Sequence, residues 1–158
     1  MNVNPSMDAL TRAAMGINNP ALTAISLLLD NDVFFAALVL ALILIAERRD
    51  NKRLKIMTAI VLAVLAGMAL KSIYAIPRPC YGLNCPSDYS FPSLHAVTAF
   101  TLMIAFLNKR EYPFFLFFAL FVAFTRLHLG VHTFEDVAAA FPVAILAYHV
   151  VDSRWKNE

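Results

Sequence analysis

Lys71 and Arg78, then Ser93 and His95, then Arg126, His132 and Asp136 form three short clusters in an otherwise apolar sequence. They bring together fixed cations, two imidazoles and a carboxylate. Fixed cations stabilise the charge that develops on a transferring phosphoryl group, and a histidine backed by an acid can attack phosphorus. These residue types therefore suit phosphoryl transfer that needs no metal.

Each cluster is expected at the end of an apolar segment. Lys71 closes one such segment, and Pro77 and Pro79 bracket Arg78, so the helix should stop before the arginine. Lys71 offers a point charge and Arg78 a planar fork for two oxygens, although snorkelling also leaves basic residues at helix ends. Pro92-Ser93-Leu94-His95 opens the next segment, with Pro92 near the first helical position. The Ser93 hydroxyl and the free N–H groups of that first turn can then face an anion, and His95 can give a proton to a leaving oxygen. In the third cluster Gly130 allows a tight turn. His132 should start the last segment, with Asp136 one helical turn on and on the same face. A carboxylate there can fix the imidazole tautomer, and it also suits a helix N-terminus as such.

The order Lys-x6-Arg-Pro, Pro-Ser-x-His, Arg-x5-His-x3-Asp resembles the type 2 phosphatidic acid phosphatase family, which shares its active-site pattern with the vanadium haloperoxidases. The resemblance covers about residues 60–150. It implies that Lys71, Arg78, Arg126, Ser93 and the Leu94 backbone bind phosphate. It likewise implies that His132 becomes the phosphohistidine, that Asp136 orients it and that His95 is the general acid, with no cofactor and no metal. The family usually has Gly at the place of Leu94, Ser at that of Thr125, and often Tyr at that of His128. The Leu94 side chain must then point away from the phosphate, and His128 belongs behind the site and not in it.

The elements that must position these groups are hydrophobic throughout. The chain has 158 residues, 60% hydrophobic and 15% charged, and a formal charge of +2, too small to argue for nucleic acid. Mean hydropathy is +0.66. Apolar runs at about 33–47, 54–72, 93–107, 113–129 and 134–151 read as spanning helices, each near the short limit for a bilayer, and residues 33–46 have no polar face. Pro142 should bend the last. Residues 1–31 should form short interfacial helices, with Asn19 as an N-cap and Pro20 at a first helical position. The Met1–Asn19 stretch does not read as a signal peptide. The expected architecture is thus one all-α domain over 1–158: interfacial helices over 1–31, a transmembrane bundle over 32–151 and a cytoplasmic tail over 152–158.

Cys80 and Cys85 flank a short loop between the first two clusters, where a disulfide is the favoured reading over two free thiols. The expected function is hydrolysis of a lipid phosphate or diphosphate in the bilayer. Polyprenyl diphosphate comes first, phosphatidate or phosphatidylglycerol phosphate next, and transfer to another acceptor is the alternative. Of the thirteen Lys and Arg residues, nine fall in the loops at 48–53 and 108–112, at Lys55 and in the tail, and four fall on the side of the clusters. That bias puts the nine in the cytoplasm and the clusters on the outer face of the plasma membrane. Single cysteines at Asn51 and Ser87, with Cys80 and Cys85 removed, should label oppositely with an impermeant thiol reagent on intact cells: position 87 accessible, position 51 protected. The reverse pattern would invert the topology.

Overall fold

The computed structural model describes residues 8–79 and 86–155, and among them every regular element is a helix. Cys80 and Cys85 lie outside the described residues. Two short helices, α1 (Ala9–Met15) and α2 (Pro20–Asp30), precede α3 (Asp32–Ala46), α4 (Asp50–Tyr74), α5 (Leu94–Ala105), α6 (Tyr112–His128), α7 (Phe134–Ala138) and α8 (Ala140–Trp155). All five apolar runs are therefore helical. The 25-residue α4 and the 22 residues from Phe134 to Trp155 are long and apolar enough to cross a bilayer. Helices α2 and α3 meet that test only together, and they are bent 84° at Asn31, so α2 lies across the end of α3 instead of extending it.

The caps explain where the helices begin and end. The Asn19 side chain accepts from Ala21 N at 3.0 Å and Leu22 N at 3.1 Å, with Pro20 next in line, as its sequence position predicts. Asn31 caps α3 in the same way through Phe34 N at 2.9 Å. Helix α4 ends on Ala75 in the left-handed region at φ 47°, just before Ile76-Pro77. Two details differ from the sequence reading. Ser93, not Pro92, occupies the N-cap of α5, and Pro92 lies outside the helix behind a cis bond to Phe91. The last span breaks at Ala139 rather than bending at Pro142, because Pro142 has no N–H for the carbonyl of Ala138, four residues back.

Helix α5 forms the centre, with nearly every residue from Ala96 to Ala105 buried against α4, α6 and α8. Its neighbours approach it through small side chains. The buried stripe of α4 is Ile56, Ala59, Ala63, Gly67 and Lys71, and that of α8 is Ala140, Ala144, Ala147 and Val151. Between apolar helices in lipid, close approach of this kind supplies the packing that a water-driven hydrophobic effect cannot. Phe106 stacks on Phe115 with ring centroids 4.0 Å apart and joins α5 to α6. Val61, Leu65, Phe117, Ile45 and Leu146 face outward, as a lipid-facing surface requires.

Gly67 is where packing meets the site. A Cβ there would lie 2.6 Å from Leu94 Cδ2, so the larger residue on α5 rests in the notch that glycine leaves in α4. Gly67→Ile should therefore destabilise the protein by about 1–3 kcal/mol through overpacking. Adding Leu94→Ala should recover part of that loss in thermal unfolding. Equal, additive losses would show that the two residues do not share this contact.

Candidate active site

The polar clusters converge at one end of the bundle around a cavity of about 360 Å³. Asp30, Asp32, Lys71, Arg78, Asp88, Leu94, His95, Arg126 and His132 line it. Lys71 reaches it from the last turn of α4, His95 from the first turn of α5 and Arg126 from the last turn of α6. The opposite end carries Arg48, Arg49, Lys52 and Lys109, where Lys109 pairs with Glu47 and Lys55 with Asp152.

His132 sits in the turn before α7 and is 3% exposed. Arg78 Nη1 donates to its Nε2 at 3.1 Å and to Val131 O at 3.1 Å. A guanidinium has only donors, so Nε2 carries the lone pair and Nδ1 the proton. Nδ1 faces Asp136 Oδ2 at 3.5 Å, long for a hydrogen bond but within ion-pair reach. Burial lowers the His132 pKa to about 4; the Arg78 charge adds to the shift and Asp136 opposes it. The imidazole is thus neutral near pH 7, with its basic nitrogen turned to the cavity.

Asp136 does two jobs that the sequence reading treats as rivals. As the third residue of α7 its Oδ2 accepts from Thr133 N at 2.7 Å, while Asp136 N donates to Thr133 Oγ1 at 3.3 Å, completing a capping box. The same carboxylate lies behind His132, and its Oδ1 accepts from Ser90 Oγ at 3.1 Å. The turn carrying His132 is held from the other side as well. Phe134 N donates to Thr11 Oγ1 at 3.0 Å and Asp8 Oδ2 at 3.2 Å, and a Cβ on Gly130 (φ +66°) would meet Met15 Cε at 2.8 Å. Only glycine suits that turn.

Each cation in the cavity already has a carboxylate. Arg126, 1% exposed, donates to Asp30 Oδ1 at 2.5 Å and to Ser26 O at 3.2 Å. Arg78 forms a two-pronged pair with Asp88, Nε to Oδ1 at 2.8 Å and Nη2 to Oδ2 at 3.0 Å. Lys71 donates to Asp88 Oδ2 at 3.2 Å and to the Tyr89 carbonyl. Burial raises the Asp88 pKa, but the Arg78 and Lys71 charges outweigh it and hold the carboxyl below its ordinary range. His95 Nε2 is 3.6 Å from Asp32 Oδ1, and its ring packs on Phe35 with centroids 4.5 Å apart. Ser93 Oγ is buried and has no hydrogen-bond partner among the described residues.

All the sequence-derived residues of the described segments thus come to one place. Leu94 lines the cavity while resting on Gly67. His128 stays outside the cavity, between Ala14 O at 3.0 Å and Thr23 Oγ1 at 3.1 Å, where it fastens α1 and α2 to α6. The sequence reading missed Asp30, Asp32, Asp88 and Ser90. The two acids around Asn31, just ahead of an apolar run, were the available signal for the first pair. Asp88 and Ser90 lie in a loop without periodicity and offered none.

The model of the PAP2 superfamily matches residues 52–157, more than half of the chain. Mouse sphingosine-1-phosphate phosphatase 2 is 28% identical over 111 residues, covering 60% of this chain and 31% of its own, so the chain spans about a third of that relative's length. The fold is similar to the transmembrane PAP2-type phosphatidylglycerolphosphate phosphatase of Bacillus subtilis, with a TM-score of 0.72, 22% identity, and coverage of 94% of this chain and 84% of the other. It is also similar to Aquifex aeolicus LpxE, with a TM-score of 0.73, 23% identity, and coverage of 91% and 93%.

The His132 environment has a direct spectroscopic consequence. With ¹⁵N-histidine labelling, the resonance lost in His132→Asn should remain that of a neutral Nδ1–H imidazole down to about pH 4–5, well below the ordinary histidine range. Because the unfolded chain takes up that proton near pH 6.5, stability should fall as pH drops from about 6.5 to 4. A titration midpoint near 6.5 would contradict the buried setting.

Proposed function

Because the chain belongs to the PAP2 superfamily, we propose that it is an integral-membrane phosphatase that releases phosphate from a lipid phosphomonoester by way of a histidine nucleophile. One observation carries the reading: His132 Nε2 holds a lone pair toward a cavity lined by Lys71, Arg78 and Arg126, while Asp136 stands behind Nδ1.

In the first step Nε2 attacks phosphorus and the bond to the lipid oxygen breaks, with His95 supplying the proton to that oxygen. Arg78, which now donates to Nε2, passes to a phosphate oxygen as the P–N bond forms. Asp136 stabilises the imidazolium that results. In the second step water attacks the phosphohistidine, His95 takes up the water proton and inorganic phosphate leaves. Lys71, Arg78 and Arg126 supply the positive charge throughout, with Ser93 Oγ and the N–H groups at the start of α5 as further donors.

The relatives' names favour a monoester. They specify sphingosine-1-phosphate and phosphatidylglycerolphosphate, and none names a polyprenyl diphosphate, so that expectation from the outward-facing site gives way. The Lys/Arg bias supports a site on the outer face of the plasma membrane.

The test is phosphate release by the purified protein from a panel of lipid phosphates in the presence of chelator. Wild type should be active there, and His132→Ala should lose at least about a thousandfold in turnover. His95→Ala should still form a phosphoenzyme from a substrate with a good leaving group. Activity that needs added magnesium, or persists in His132→Ala, would defeat the reading.

A further inference from the structure

The cations of the cavity are already engaged by carboxylates. Lys71, Arg78 and Arg126 are matched in formal charge by Asp30, Asp32 and Asp88. The three aspartates are not equivalent. Asp30 pairs with a fully buried arginine that the Ser26 carbonyl also engages. Asp88 instead occupies the donors of Arg78 and Lys71 that a phosphate would need, and its side chain is 51% exposed at the cavity mouth. Its two oxygens engage the guanidinium fork side by side, the arrangement that arginine offers to carboxylates and phosphates alike.

We propose that Asp88 is a specificity-determining residue: its carboxylate holds the Arg78–Lys71 subsite so that a dianionic phosphomonoester displaces it and a monoanionic phosphodiester does not. This rests on the reading that the subsite takes the phosphate of the substrate. A tethered carboxylate competes at an effective concentration on the order of millimolar. A phosphodiester brings the same single charge and only two free oxygens, so it gains little by exchange. A monoester near neutral pH brings about twice the charge and three acceptor oxygens. In a bilayer whose ordinary headgroups are phosphodiesters, such a competitor keeps the abundant lipid out of the site while admitting the rare one.

Calorimetric binding at pH 8 tests this without turnover, using inorganic phosphate and dimethyl phosphate as probes. Wild type should bind phosphate and exclude dimethyl phosphate. Asp88→Asn should bind both, with phosphate about tenfold tighter, the factor for one lost charge-assisted competitor. Asp88→Glu keeps the charge and should restore exclusion. An Asp88→Asn protein that still excludes dimethyl phosphate, or binds phosphate more weakly than wild type, would overturn the proposal, since Asp88 would then be holding Arg78 in place for the ligand. Wild-type protein that shows this selectivity yet hydrolyses no lipid monoester would sink the hydrolytic reading and leave the role of Asp88 standing.

Discussion

A charged side chain at the end of an apolar helix is costly without a counter-charge, and that constraint organises the site end of this bundle. Arg126 is the clearest case. It is buried in the last turn of α6, so an acid must come to it, and the acid is Asp30 at the end of α2. The 84° bend between α2 and α3 lets α2 lie against α6 and deliver that carboxylate while α3 turns away along the bundle. Lys71 and Arg78 impose the same demand on the loop ahead of α5, which answers with Asp88. At the opposite end Glu47–Lys109 and Lys55–Asp152 tie neighbouring helices by the same rule.

The second organising feature is the use of helix ends as brackets. The His132 turn is clamped by the capping box of α7 on one flank and by Asp8, Thr11 and Met15 of the N-terminal segment on the other. Ser93 N donates to Asp136 O at 3.1 Å, and so joins the start of α5 to α7. Helices α1 and α2 precede the residues matched by the family model, yet α1 helps to hold the turn that carries His132 and α2 delivers a carboxylate to Arg126. Under the proposed mechanism His132 gains from such fixed surroundings, because misplacement by about 1 Å can cost a hundredfold in rate.

Much of this was legible in the sequence because it rests on local physics. Long apolar runs give the helices, Asn19-Pro20 marks a start, and Pro77 and Pro79 mark a stop. The clusters were legible since charged residues in apolar surroundings stand out. What escaped was tertiary. Nothing near Asp30 says that it will meet Arg126, 96 positions away. The partnership of Gly67 with Leu94 depends on how two helices cross. Pro92 was misplaced by two positions because Ser93 and Pro92 are both plausible at a helix start, and Ser93 takes the N-cap with Leu94 as the first helical residue. The bend near Pro142 lay three residues early, since a proline disturbs the carbonyl behind it more than its own position.

The shortness of α5 sets a depth. Twelve residues rise ~18 Å, against ~30 Å for the hydrocarbon layer of a bilayer. Because α4, α6 and α8 enclose it, lipid does not have to adapt to the difference. The shortfall is met inside the protein, by the charged turn at 108–111 at one end and by the polar cavity at the other. The cavity thus opens among the last turns of α4 and α6, which carry Lys71 and Arg126, and is parted from the charged turn by Ala96–Ala105, ten residues without a charge.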